Sequence, residues 1–417
     1  MTRASGSTRP RRRRVGHRLL GAAAVAAVSL AAATAGIGHA SAEAETLKIG
    51  AIFSLSGTVA PFSEGGVHAV ELAVQQINAA GGFTVGDTTY ELELVMLDDR
   101  SDPAVATASA TQLLEDEGVN IILGPVTSVT APAVAEYAVP RGAIMFSGST
   151  ALVPMLLDGG APTLFNTSGD QATIAAYMAA ALERGYPDAT RVAAIYDDGG
   201  IGTFMGPNFA TAAEELGLEL VAEEVYPADE TDFASILTTV KDAEPEVVFV
   251  CCTSTANANI AKQAIELGAA PAFMSWGGSL RPATSTAIGE PIEQPWVVVS
   301  MPGIMEALED GTLVAPRDGQ LAYLDDVVNV LGEEISVDEG GALYFYDYVF
   351  LLVQALQDAG SVDDTEAIAA AINAIEFDGP TMGPISYNEF NIAQITADYC
   401  KVEAGVPTCE TLDKPES

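Results

Sequence analysis

The stretch Val119-Asn-Ile-Ile-Leu-Gly-Pro-Val-Thr-Ser-Val-Thr130 constrains this chain more than any other. Four apolar residues lead into Gly-Pro, and hydroxyl side chains follow. So short and apolar a run reads as a parallel strand buried on both faces, then a tight turn, then a helix N-terminus. Gly124 permits the turn, and Thr127 or Ser128 is placed to cap the helix. The layout recurs at Ala143-Ile-Met-Phe-Ser147, which runs into Gly148-Ser149-Thr150. Two neighbouring strand ends then bring Ser128, Ser149 and Thr150 to one crevice, where hydroxyl donors and helix N-termini suit an anionic group such as a carboxylate. Caps and turn formers alone would give the same pattern, so both readings stand at this point.

The rest of the chain extends the alternation. Leu47-Lys-Ile-Gly-Ala-Ile-Phe53 is a strand, and 63–78 has helical periodicity that Gly81-Gly82 stops. Tyr90-Glu-Leu-Glu-Leu-Val-Met-Leu97 is the next strand, and Pro103 opens a helix through 117. After a break at Thr163-Leu-Phe-Asn-Thr-Ser168 the pattern restarts. Strands are expected at 191–196, 218–225, 246–252 and 271–276, with helices at 170–184, 203–216, 232–241 and from 253 to about 268. Such alternation argues for an α/β architecture with parallel sheets covered on both faces. A last section holds a strand at 297–301, helices at 320–331, 341–359 and 365–375, and a final crossing and strand at 377–387. The aromatic group Tyr344, Phe345, Tyr346, Tyr348 and Phe350 reads as core.

The first 42 residues contain seven Arg and no Asp or Glu. Arg11-Arg-Arg-Arg14 precedes an Ala-rich apolar segment that ends at Ala40-Ser41-Ala42, the pattern of an export signal cleaved near Ala42. Its removal leaves 11 of the 18 Lys and Arg against all 57 Asp and Glu, a formal charge of −46. That surface disfavours nucleic acid and anionic membranes and reads as a solvated, solubilising face. Export permits disulfides. Cys400 and Cys409 are spaced to close a small loop in the tail, whereas the adjacent Cys251 and Cys252 are expected to be packed thiols. Only three His occur, two of them in the signal, which disfavours a zinc site and a Ser-His-Asp triad. Gly199-Gly-Ile-Gly202 lacks the spacing of a dinucleotide loop. No cofactor and no metal is expected.

Six segments carry a resemblance by their order: Lys48-Ile-Gly-Ala-Ile-Phe-Ser-Leu-Ser-Gly57, Ala79-Ala-Gly-Gly82, Asp98-Asp-Arg-Ser-Asp-Pro103, Ile122-Leu-Gly-Pro125, Asp232-Phe233 and Met382-Gly-Pro-Ile385. Together they resemble the type I periplasmic binding proteins of the leucine/isoleucine/valine-binding family, over essentially the whole chain after the signal. The resemblance implies two doubly wound, Rossmann-like α/β lobes joined by three crossover strands, near 165–168, 300–301 and 380–382. Lobe one is then 46–166 plus 301–380, and lobe two 167–300 plus 381–417. It further implies a monomeric, non-enzymatic, extracytoplasmic binding component of an ABC importer. Such a component closes on a branched-chain amino acid or a related small amide or carboxylate, and permease subunits read the closure.

Carried over residue by residue, the resemblance puts Ser128, with Thr127 beside it, where the family holds a ligand carboxylate. Ser149 and Thr150 fall in the loop of further carboxylate and ammonium contacts, and Phe62 falls where an aromatic flanks the ligand. The second lobe departs from the pattern. Ile201 and Thr253 stand at frequent Tyr positions, and Gly277 or Gly278 stands where amino-acid binders carry an acidic residue. A buried ammonium without a carboxylate partner is costly, which puts an α-amino acid in doubt unless Asp197 or Asp198 substitutes. Trp276 reads equally as an apolar wall of the site or as core. A ligand-sensing receptor module and an enzyme on the same fold are the rival readings.

Overall fold

The computed structural model describes residues 44–60, 63–199, 202–251, 254–277, 294–302, 305–306, 313–332, 344–403 and 406–412. The export-signal reading and the expectations for Phe62, Ile201, Thr253 and Gly278 lie outside the described residues.

The first sheet is built from β1 (Glu45–Phe53), β2 (Phe83–Val85), β3 (Thr88–Asp98), β4 (Ile121–Leu123), β5 (Ile144–Ser147) and β6 (Leu164–Asn166). Its strand order is β2-β3-β1-β4-β5-β6, and all pairs are parallel except β2 with β3. The second sheet begins with β7 (Arg191–Asp197), β8 (Glu219–Tyr226), β9 (Val247–Val250), β10 (Phe273–Trp276) and β11 (Trp296–Ser300). Five short strands follow in the chain: β12 (Met305–Glu306), β13 (Leu313–Val314), β14 (Phe377–Gly379), β15 (Gly383–Tyr387) and β16 (Ala393–Gln394). The hairpin of β17 (Ala397–Glu403) and β18 (Val406–Leu412) then completes the second sheet, in the order β18-β17-β11-β10-β9-β7-β8.

Helices cover both faces of each sheet, and the strand sequences show why. Along β1, Ile49, Ala51 and Phe53 enter one core while Ile52 enters another. Along β9, Val247 and Phe249 face one way and Val248 and Val250 the other. Side chains alternate across a strand, so a run that is apolar at every position has two faces to bury. Tyr344, Phe345, Tyr346 and Tyr348, at the start of the helix Tyr344–Ala359, are buried as expected, with Phe350 partly buried against the same core.

The helix expected from Pro103 through 117 is present, α-helical to Thr111 and a π-turn over Gln112–Asp116; Asp102 caps its start, accepting from Ala104 N at 2.7 Å and Val105 N at 3.1 Å. One local expectation is corrected. Cys251, expected to be a packed thiol, is disulfide-bonded. Its burial, 1% exposed, does not distinguish a thiol from a disulfide. Cys400 and Cys409 lie directly opposite in the β17–β18 register and form a second disulfide.

Candidate functional site

Parallel strands deliver their carboxyl ends to one edge of a sheet, and in the first sheet β4 and β5 are neighbours there. At the end of β4, Gly124 has φ +84°, and a Cβ on it would lie 2.3 Å from Ile52 O. Only glycine makes this turn without strain. The chain then rises through Ser128 and Val129, both exposed, into α3 (Ala131–Ala138).

Neither Thr127 nor Ser128 caps α3. Its N-cap is Thr130, which makes no side-chain cap bond. Thr127 supplies its backbone carbonyl to Ala131 N at 3.1 Å, and its Oγ1 lies 3.4 Å from Thr130 Oγ1. The turn is longer than expected, so the helix starts later and the Ser128 hydroxyl is not consumed at its end.

Ser149 lies at the end of the neighbouring strand. It is buried, it caps the short 3-10 turn Thr150–Leu152 by accepting from Ala151 N at 3.2 Å, and it donates its hydroxyl proton to Ser128 Oγ at 3.1 Å. A hydroxyl carries one proton and two acceptor lone pairs. Ser149 is therefore spent on its neighbours, while Ser128 accepts from Ser149 and keeps its own proton for an oxygen outside. Two hydroxyls in series polarise one another and strengthen that outward donor. Thr150 is half-buried one residue on.

Behind this pair lies a shell that sequence reasoning missed. Ser147 Oγ donates to Pro125 O at 2.5 Å and holds the two strand ends together. Asn166, at the end of β6, donates from Nδ2 to Ser149 O at 3.2 Å. Ser168 Oγ donates to Gly148 O at 3.0 Å. A Cβ on Gly148 would lie 2.0 Å from the Tyr344 hydroxyl, so the loop rests against that ring. The one sequence signal was a polar residue ending the apolar strand at Leu164-Phe-Asn.

The loop after β1 is tied down separately. Asp98 accepts from Leu55 N at 3.0 Å, Ser56 N at 3.2 Å, Ser56 Oγ at 2.7 Å and Arg100 N at 2.8 Å. Burial alone would push its carboxyl up, but the Ser56 hydroxyl and the three amides together hold it below the usual carboxylate range. Buried Asp99 accepts from Ser54 Oγ at 2.5 Å and Ser101 N at 2.9 Å.

In the second sheet, Asp197 Oδ1 accepts from Gly199 N at 3.0 Å and Gly202 N at 3.2 Å, which organises the loop before α6 (Gly202–Glu215). Asp198 is exposed and accepts from Ala228 N at 3.1 Å. Gly277 follows β10 with φ +70°. Trp276 is half-buried, packs on the core under β10, and lines a small pocket with Ser168, Tyr177, Met301 and Thr396. Of these, Ser168 follows β6, Met301 follows β11 and Thr396 precedes β17.

Known proteins share this architecture. The family model described as periplasmic binding protein matches residues 46–398, and the chain belongs to that family. The Leu/Ile/Val-binding protein homolog 3 of Brucella melitensis is 28% identical over 363 residues, which covers 87% of this chain and 92% of that protein. Among solved structures, the branched-chain amino acid transporter substrate-binding protein LivJ of Streptococcus pneumoniae, in complex with isoleucine, superposes with a TM-score of 0.68 at 24% identity, covering 89% of this chain and 100% of that one. An R. palustris ABC-transporter solute-binding protein in complex with benzoate gives 0.66 at 19% identity, covering 88% and 98%.

Proposed function

We propose that this protein is the extracytoplasmic solute-binding component of an ABC importer, and that it takes a small carboxylate or amide at the edge formed by Ser128, Ser149 and Thr150. The observation that carries the reading is the Ser149–Ser128 hydrogen bond, in which the exposed Ser128 is the acceptor and so retains its own proton for a ligand. The family membership and the isoleucine- and benzoate-bound relatives in fold support it.

The two sheets then belong to two lobes, 46–166 plus 301–380 and 167–300 plus 381–417. Met382, Ile385, Ala393 and Ile395 pack with the first core, which supports a third boundary nearer 395 in this reading. Ligand held by the first lobe recruits the second, and the closed form is the one a permease reads. Trp276 and Gly277 stand on the second wall of the cleft in this reading.

Within that class, a carboxylate lacking an α-ammonium group is the second reading. Gly277 supplies no anion, and Asp197 Oδ1 already accepts from two loop amides. A thermal-shift series with isoleucine, leucine, valine, benzoate and urea tests both. A ligand at a hundred times its Kd adds about 2.7 kcal/mol of stability. Stabilisation by the amino acids alone supports the first reading, and stabilisation by benzoate supports the second. A melting temperature unmoved by every compound defeats the assignment.

A further inference from the structure

We infer that Asn166 is a positioning residue for the ligand-binding hydroxyls, setting the direction of the Ser149 hydroxyl from beneath. This rests on the site proposed above. Asn166 is fully buried at the end of β6, opposite Ser147 in the β5–β6 register. Each of its polar groups for which a bond is recorded serves a different segment. Nδ2 donates to Ser149 O at 3.2 Å, Oδ1 accepts from Ser168 N at 2.9 Å, and the backbone N donates to Asn391 O at 2.9 Å. Asn391 is itself fixed, donating from Nδ2 to Pro162 O and Leu164 O, each at 3.1 Å. Ser168 returns to the same loop through its hydroxyl on Gly148 O.

The consequence for Ser149 is geometric. Its hydroxyl must accept from Ala151 N and donate to Ser128 at once, which requires a fixed backbone plane at 149. The carbonyl of that residue accepts from the Asn166 amide at 3.2 Å and from Leu152 N, across the 3-10 turn, at 3.3 Å. Loss of the amide leaves the carbonyl with the Leu152 N–H alone, and an ionised carboxylate placed opposite would repel it, so the 148–150 backbone turns to relieve that contact. The Ser128 proton is then no longer aimed.

The decisive variant is Asn166→Asp. It keeps the shape and the acceptor for Ser168 N but replaces the donor with an oxygen facing Ser149 O. A protonated aspartic acid can donate across that gap, and an ionised one cannot. With isoleucine and benzoate as probes in calorimetry, we expect N166D to bind at least tenfold more weakly than wild type at pH 8. We expect that ratio to close towards one as pH falls to 5, where the buried carboxyl is neutral and the melting temperature of the unliganded variant should also return towards that of wild type. A merely structural role would lower stability without a pH-dependent affinity ratio. N166D affinity equal to wild type at pH 8, or a deficit that persists unchanged at pH 5, overturns the inference. If N166D does not fold, Ser168→Ala removes the companion strap to Gly148 O, and unchanged affinity there is equally adverse. A wild type that binds neither probe rejects the site itself, and this inference with it. Weakening in Ser128→Ala, Thr150→Ala without weakening in N166D rejects the inference alone.

Discussion

Arg317 and Asp398 form an ion pair at 3.3 Å between the start of the helix Asp318–Asp326 and β17 of the second sheet, with side chains only 17% and 3% exposed. The remaining groups are also occupied. Arg317 Nη2 donates to Thr396 Oγ1 at 2.6 Å, and Gln320 Nε2 donates to Asp398 Oδ2 at 2.9 Å. Thr396 Oγ1 in turn donates to Met382 O at 2.9 Å. The helix packs through Tyr323 on the first core, so the pair fastens one sheet's coverings to the other sheet. Removing one member strands a buried charge, which typically costs about 3–5 kcal/mol. Asp398→Ala is expected to lose that much in urea unfolding. Arg317→Met with Asp398→Leu, which buries no charge, should recover most of it. A double variant as unstable as Asp398→Ala would show that packing at this junction matters, and not charge.

The ligand site makes a simpler claim. Ser128 and Thr150 present hydroxyls from adjacent strand ends, and each charge-assisted hydrogen bond to a carboxylate contributes about 1.5–3 kcal/mol. Ser128→Ala together with Thr150→Ala is expected to weaken binding of whichever probe stabilises the wild type by at least roughly tenfold. Ser128 is exposed and Thr150 half-buried, so the melting temperature without ligand should hardly change. Calorimetric affinity equal to wild type would refute the assignment.

Much of the fold was legible before any coordinates. The uninterrupted apolar runs at 49–53, 121–123 and 247–250 demand strands buried on both faces, and the helices between them fix the winding. What stayed hidden depends on contacts distant in sequence. The start of α3 at Ala131 depends on how the Gly124 turn passes Ile52 O, 72 residues earlier. Asn166 is one polar residue in a weak strand until β5 pairs beside it and Ser149 O comes within reach. The β17–β18 hairpin was read only as a stapled tail, because Ala397–Glu403 mixes charge and apolar residues and takes its place from pairing with β11. Cys251 shows the limit of composition, since two adjacent cysteines say little about their redox state.

The disulfide Cys400–Cys409 spans nine positions across that hairpin. In the chain-entropy account a loop of about ten residues contributes about 2.5 kcal/mol by restricting the unfolded chain. Cys400→Ala with Cys409→Ala is expected to lose about that amount in chemical denaturation, with ligand affinity preserved, because the bridge joins β17 to the edge strand β18. Loss of affinity at full stability would instead place the hairpin in the binding mechanism.

Asp347 gives the protein a predictable pH dependence. It lies fully buried in the first turn of the helix Tyr344–Ala359. Its carboxylate accepts from Thr381 N at 3.0 Å and Met382 N at 2.6 Å in the turn between β14 and β15. Burial pushes its pKa up to about 7; the Met382 amide, the Thr381 hydroxyl and amide, and the Arg317 charge all act in the opposite direction but only in part. An unfolded aspartate titrates near 3.9, so between about pH 4 and pH 7 the unfolded chain has lost a proton that the native chain keeps. Stability then falls with rising pH across that window and levels off above it. The general acidity of the chain acts in the same direction, so the comparison must be internal. Asp347→Asn cannot ionise, and the stability difference between wild type and this variant should change progressively against the wild type from pH 4.5 to pH 7.5. A difference that stays constant over that range would mean that the two backbone amides keep Asp347 ionised throughout, and that the turn at Thr381 and Met382 is held by a carboxylate at every pH tested.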